Sequence, residues 1–198
     1  DKRSESTTEK QLTLLGQILF VSIMIGCFMV YLALFCYDYY QKKSSLSLLF
    51  FLMIFFPIIT SVIVSNNLFS VYAVPFAMLP MIIRIFLDSR TAFMAHIVSI
   101  MLCSILLRTP HEFILLQTVA GIVGIHSLRE LSQRSQLMRS ALFIFMSYSL
   151  TYLSLDLIHV GEIEQLSTQM YILFGVNAIL LLFTYPLLFI LEKTFSFT

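Results

Sequence analysis

The chain has 198 residues, of which 59% are hydrophobic and only 12% are charged, whereas a soluble globular domain has roughly 25% charged residues. So few charged side chains exclude a soluble enzyme and a disordered chain, and the net charge of +1 excludes a basic nucleic-acid-binding surface. The composition therefore predicts an integral membrane protein, all-α in fold, with room for about seven spans of about 20 residues each.

Seven apolar runs follow in chain order, and we predict that each is a transmembrane helix, because lipid offers the backbone no hydrogen bonds. The third run contains Pro75 and Pro80, which we expect to kink its helix. The fifth run is only about 20 Å long at about 1.5 Å per residue, so it thins the bilayer, extends at both ends or is re-entrant. The runs cover residues 12–37, 45–64, 68–87, 91–107, 113–125, 141–158 and 170–191.

The two ends of the chain differ in composition from the seven-helix region 12–191. Residues 1–11 form a polar lead-in that lacks the apolar core of a signal peptide, and residues 192–198 form a short exit. We expect the chain to be an excised piece of a longer protein.

Positive charges beside the spans predict the orientation, because cytoplasmic loops carry the excess of Lys and Arg. With the N-terminus outside, only Lys2, Arg3, Lys10 and Arg108 face outward. The C-terminus is then cytosolic. The remaining cations face inward: Lys42, Lys43, Arg84, Arg90, Arg129, Arg134, Arg139 and Lys193.

The sequence contains no motif for catalysis or metal binding. His111 and Glu112 begin like a zinc-protease motif, but Leu115 stands where the second histidine is needed. The three cysteines are scattered through apolar runs and form no C-x-x-C pair. We therefore expect this chain to be no enzyme, with no cofactor and no metal of its own.

A polar cluster at the predicted cytosolic end of the third run has two interpretations. Arg84 and Asp88 are four residues apart and share a helix face, which predicts a hinge or switch formed by Pro75, Pro80, Arg84, Asp88 and Arg90. The alternative is that Asp88 or Ser89 caps the fourth helix while Arg84 reaches the headgroups.

The segment between the fifth and sixth runs is the main cytosolic surface. It carries Arg129, Glu130, Arg134 and Arg139, and the Glu130–Arg134 spacing favours a helix. This segment either docks a cytosolic domain or is a basic linker held to anionic lipid.

The polar residues inside the apolar runs are Gln17, His96, Gln117, Asp156 and Asn177. We expect Asp156, near the outer end of the sixth run, to reach water. We interpret His96 in the fourth run and Asn177 in the seventh as interhelical hydrogen bonds rather than parts of a permeation path. A transporter would show more polar lining or matching broken helices.

Three stretches together resemble a known family. The run YAVPFAMLPMIIRIFLDSRTAF, the run LLQTVAGIVGIHSLRELSQRSQLMRSAL and the closing YPLLFILEKTFSFT are similar to bacterial seven-helix receptors with an intracellular HD hydrolase, the PgpH-type cyclic di-AMP phosphodiesterases. The resemblance covers the chain from about Leu12 to Thr198.

The resemblance implies a protein of three parts: an extracytoplasmic sensing region, this seven-helix domain and a cytosolic HD domain that hydrolyses cyclic di-AMP with divalent metal ions. No His is followed by Asp in this sequence, so the catalytic pair of such a hydrolase is not carried by this chain. Its expected partners are the lipid bilayer, its own flanking domains and a second copy in a homodimer, with no nucleic acid.

We therefore predict a multi-pass sensor and anchor domain in the bacterial cytoplasmic membrane that takes part in signal transduction. The alternative is a small-molecule transporter or a substrate-binding membrane subunit, which would bind or carry a small molecule.

Overall fold

A computed structural model describes residues 2–128, 134–159 and 167–195, which form helices joined by short connections and no β-strand within those ranges. A 3₁₀ turn at Val71–Ala73 precedes α4. This architecture confirms the all-α fold predicted from composition. In chain order the helices are α1 (Lys2–Phe35), α2 (Tyr37–Gln41), α3 (Lys43–Asn66), α4 (Met78–Phe86), α5 (Ser89–Ser104), α6 (Pro110–Ser127), α7 (Arg134–His159), α8 (Thr168–Leu181) and α9 (Thr184–Phe195).

Three of the described helices are long and apolar enough to cross a membrane: α3, the part Glu9–Phe35 of α1 and the part Gln136–Ile158 of α7. The pair α8 and α9 makes a fourth span if its 42° bend is allowed within one crossing. The bend has a local cause, because Pro186 lacks an N–H and its ring clashes with the carbonyl group four residues before it in a continuous helix. The number of seven spans stays a prediction.

The third apolar run is not one kinked helix, so that expectation for residues 68–87 is wrong. α3 ends just before Asn67, which has a φ of 47° in the left-handed region that Asn tolerates. Val74 is extended because a residue before proline is disfavoured in the helical region. The helix resumes only after Pro75, and Pro80 lies in the first turn of α4, where its missing N–H costs no intrahelical bond.

The fourth and fifth runs form α5 and α6, of 16 and 18 residues. At about 1.5 Å per residue both are shorter than a hydrocarbon core of about 30 Å. α6 begins at Pro110 and ends at Ser127, so the fifth run extends at both ends, as one of the three alternatives has it.

α4 and α5 form the centre of the bundle. Met78–Ile83 of α4 is entirely buried, and α5 contacts α1, α3, α4 and α6. α6 packs on α7, α7 on α8, and α9 returns to contact α3 and α4. Large apolar side chains of α1, α3, α7 and α9 are exposed on the outside, as expected where lipid surrounds a bundle.

Polar connections gather at two ends of the bundle. We call one of them the junction end; there Cys36, between α1 and α2, contacts Thr91 at the start of α5. We call the other the cleft end; there Tyr72 of the 3₁₀ turn, the α5–α6 connection and the start of α8 line an open cleft. The broken third run joins these two ends through the middle of the bundle.

Candidate signalling site

Asp88 closes the connection between α4 and α5 by capping α5. Its Oδ1 accepts a hydrogen bond from the backbone N of Thr91 over 2.8 Å, and its Oδ2 accepts one from Thr91 Oγ1 over 2.8 Å. A carboxylate at this position satisfies a backbone N–H that has no partner in the helix and interacts favourably with the helix dipole. The structure thus confirms the capping interpretation of Asp88.

Arg84, in the last turn of α4, contacts the same connection. Its Nη1 donates to Ser89 Oγ over 2.7 Å, while Asp88 is engaged by Thr91. Arg84 and Asp88 therefore bond to different residues at the start of α5, Ser89 and Thr91. Arg90, also predicted for this site, is exposed in the first turn of α5. It lines a surface pocket of about 680 Å³ beside Asp88, at the junction end.

The break between α1 and α2 packs against this connection. Cys36 Sγ lies 3.4 Å from Thr91 Oγ1 and 3.5 Å from the Tyr31 hydroxyl. Tyr39 of α2 lies beside Asp88; burial raises the pKa of Tyr39, and the charge of Asp88 raises it further. No local pattern in the sequence indicates this contact, because Cys36 and Thr91 are 55 residues apart.

Asn177 of α8 holds the irregular part of the third run. Its Nδ2 donates to the carbonyl oxygens of Tyr72 over 3.0 Å and Val74 over 2.7 Å, and the side chain is buried. Non-helical backbone at membrane depth is tolerated only where it is buried in protein and its polar groups have partners. The sequence predicted an interhelical hydrogen bond for Asn177, whereas its partners are carbonyls of the 3₁₀ turn and of the extended residue before Pro75.

A second set of buried contacts joins α5, α6 and α7. His96 Nε2 lies 2.8 Å from the carbonyl oxygen of Gln117, and the Tyr148 hydroxyl donates to Gln117 Oε1 over 2.5 Å. The imidazole fits because its neighbour on α6 is Gly121; a Cβ atom there would overlap the ring. His96 thus makes the interhelical hydrogen bond that the sequence predicted.

Tyr148 links these two sets of contacts. Its ring stacks on Phe174 of α8, with ring centroids 5.2 Å apart and an interplanar angle of 10°. Its hydroxyl also lies near the side chain of Asn177, whose Oδ1 has no hydrogen-bond partner among the described residues. We call His96, Gln117, Tyr148 and Asn177 the polar core, which connects α5, α6, α7 and α8 to the irregular segment before α4.

The predicted docking surface is described only at one end. Arg129 and Glu130 lie outside the described residues, as does the side chain of Arg134. Arg139 is exposed on α7. The docking role of this segment therefore stays a prediction.

The polar side chains in the described part of the chain hold helices together rather than form a reactive site. Within the described ranges, no three His, Cys, Asp or Glu side chains are arranged to hold a metal ion. The cysteines Cys27, Cys36 and Cys103 are all free thiols. The polar core can therefore set the relative positions of helices by gaining or losing hydrogen bonds.

Comparison with known proteins agrees with the resemblance. A family model described as "7TM receptor with intracellular HD hydrolase" matches residues 11–198. No curated protein and no solved structure matches the chain. The match confirms the resemblance at the level of that family.

Proposed function

We propose, since the chain belongs to the family of 7TM receptors with an intracellular HD hydrolase, that it relays an extracytoplasmic signal to a cytosolic, metal-dependent HD phosphodiesterase. The proposed substrate of that hydrolase is cyclic di-AMP, and the divalent metal ions belong to the hydrolase domain. In this proposal the chain anchors the enzyme in the bacterial cytoplasmic membrane with its N-terminus outside and its C-terminus in the cytosol.

The observation that carries the relay is the broken third run. Its irregular part contacts the cleft end through Tyr72, and α4 runs from there to Arg84 at the junction end. A continuous helix would be held by its own backbone ladder, whereas this segment depends on side chains such as Asn177. Such a segment can adopt a second arrangement when only a few contacts change.

The junction end offers a way to pass this change on. A shift of α4 would alter the contact from Arg84 to Ser89 and the cap that Asp88 makes with Thr91. Because Cys36 contacts Thr91, α1 and α2 would respond as well. α9, which contacts α3 and α4, leads toward the proposed hydrolase domain.

The experiment measures hydrolysis of cyclic di-AMP by the full-length protein in lipid vesicles, with Asn177→Leu compared with Asn66→Leu. Asn66 is an exposed asparagine whose side-chain nitrogen bonds within α3, to Val62 O and Ser65 Oγ, so it controls for the change of residue type. We expect Asn177→Leu to change the rate by about fivefold or more, the usual range of allosteric coupling, and Asn66→Leu to leave it unchanged.

Equal rates in both variants and the parent protein would contradict the relay. Hydrolysis of another cyclic dinucleotide but not of cyclic di-AMP would contradict the proposed substrate while leaving the relay standing. Size-exclusion profiles of both variants in detergent show whether each one is folded before the rates are compared.

A further inference from the structure

An open cleft of about 740 Å³ lies at the cleft end of the bundle. This volume falls within the range of roughly 300–1,000 Å³ that is typical of small-molecule sites. The cleft lies between the 3₁₀ turn, the α5–α6 connection, α7 and the start of α8. Its lining includes Tyr72, Arg108, Glu112, Tyr152, Asp156 and Met170.

Two carboxylates face this cleft from different helices. Glu112 lies in the first turn of α6 and Asp156 near the end of α7, and both are close enough to the Tyr152 hydroxyl to act on it electrostatically. Asp156 is half-buried, and its Oδ2 is buried without a hydrogen-bond partner among the described residues. A buried carboxylate oxygen without a donor is costly, so a ligand that brings a donor would be stabilised here.

The aromatic rings that line the cleft are those of Tyr72 and Tyr152. Tyr72 interacts with Glu112 and Tyr152. Tyr171 packs edge-on against Tyr152, with centroids 5.7 Å apart and an interplanar angle of 84°. Aromatic faces beside carboxylates favour organic cations through the ring quadrupole. Arg108 also lines the cleft and is exposed, so its positive charge offsets part of the charge of the two carboxylates.

The lining distinguishes an organic cation from a metal ion. The cleft holds Glu112, Asp156 and the exposed His111, but His, Cys, Asp and Glu side chains do not converge as a metal site anywhere in the described part of the chain. The tyrosines give an extended ligand a surface that a bare ion does not use.

We infer that this cleft binds a small organic molecule with a protonated amine, whose charge is balanced by Glu112 and Asp156 and whose carbon skeleton packs against Tyr72 and Tyr152. The binding does not depend on the proposed function; only its role as the extracytoplasmic signal rests on it. Tyr72 connects the cleft to the polar core, since its carbonyl oxygen accepts a hydrogen bond from Asn177.

The test uses the purified protein in detergent micelles and para-fluorobenzylammonium as the probe, followed by fluorine NMR line broadening. Para-fluorobenzyl alcohol, which has the same ring and no charge, is the matched control ligand. We expect saturable broadening of the ammonium resonance and much weaker, non-saturable broadening of the alcohol through the micelle. Equal binding of the two ligands would overturn the inference.

Variants then locate the site. Asp156→Asn and Glu112→Gln keep the shape of each side chain and remove its charge, and we expect each to weaken ammonium binding by about three- to tenfold. Glu192→Gln on α9, an exposed carboxylate far from the cleft in sequence, is the control and should leave binding unchanged. Unchanged binding in both cleft variants would overturn the inference.

The two proposals fail separately. Absence of ammonium binding, with the rate effect of Asn177→Leu intact, overturns the inference about the cleft and leaves the relay. Ammonium binding that depends on Asp156, without any rate effect of Asn177→Leu, supports the cleft and contradicts the relay.

Discussion

The side-chain amide of Asn177 donates a hydrogen bond to the carbonyl oxygen of Val74 over 2.7 Å, across 103 residues of sequence. The carbonyl belongs to an extended residue just before Pro75, where the backbone cannot continue a helix. One asparagine of α8 therefore supports a stretch of non-helical chain inside an otherwise helical bundle.

Asn177→Leu should lower the free energy of unfolding by about 1–3 kcal/mol, because the carbonyls of Tyr72 and Val74 lose the donor that Asn177 supplies. Thermal unfolding of the purified protein in detergent measures this change. Asn66→Leu, at an exposed position, should stay within about 0.5 kcal/mol of the parent. Equal stability of the two variants would show that the irregular segment does not need Asn177.

Gly121→Ala should destabilise the bundle by about 1–3 kcal/mol, because the new methyl group overlaps the His96 ring. Gly175→Ala is the control, since a Cβ atom there meets nothing within 4 Å, and its better helix propensity makes it neutral or stabilising. The double variant with His96→Ala should cost less than the sum of the single changes. Additive losses would contradict the close packing of Gly121 on His96.

Tyr148→Phe should cost about 1 kcal/mol of stability, since it leaves Oε1 of the buried Gln117 without its donor. Adding Gln117→Leu removes the unpaired amide, so the double variant should be more stable than Tyr148→Phe alone. The free energies of unfolding of the parent, the two single variants and the double variant form a double-mutant cycle that measures this coupling. Zero coupling energy would contradict the contact between the two side chains.

Asp88→Ala should lower stability by about 1 kcal/mol through loss of the cap on α5, and Asp88→Ser should restore most of it. In the full-length protein, Asp88→Ala should also change the response to signal while hydrolysis by the HD domain on its own stays the same. A response identical to that of the parent protein would remove the α4–α5 connection from the relay.

The predicted orientation is tested by cysteine labelling in intact cells, after Cys27, Cys36 and Cys103 are replaced by serine. A cysteine in place of Lys42 should be shielded from an impermeant thiol reagent, because the distribution of positive charges predicts that this position is cytosolic. A cysteine in place of the exposed Arg108 should react readily. The reverse pattern would invert the topology and direct the cleft to the cytosol.

Local patterns were sufficient for several features. Long uninterrupted apolar runs predicted the positions of α3 and the spanning parts of α1 and α7. A helix in lipid forms its backbone hydrogen bonds within itself and needs only apolar side chains around it, so residues close together in the chain determine it. The cap that Asp88 makes with Thr91 spans three residues, so its spacing was visible in the chain. Polar side chains inside apolar runs marked His96 and Asn177 as bonding residues before their partners were known.

The sequence by itself determined that this protein is an all-helical membrane protein and which family it resembles, because both follow from composition and from residues close together in the chain. The tertiary structure decided that the third run breaks before α4, that Cys36 meets Thr91 and that Glu112 and Asp156 share a cleft. Hydropathy reports only the transfer of side chains into lipid, so residues 68–87 score as a span in any conformation. Whether their backbone can leave the helix depends on a donor such as Asn177, which only folding brings alongside.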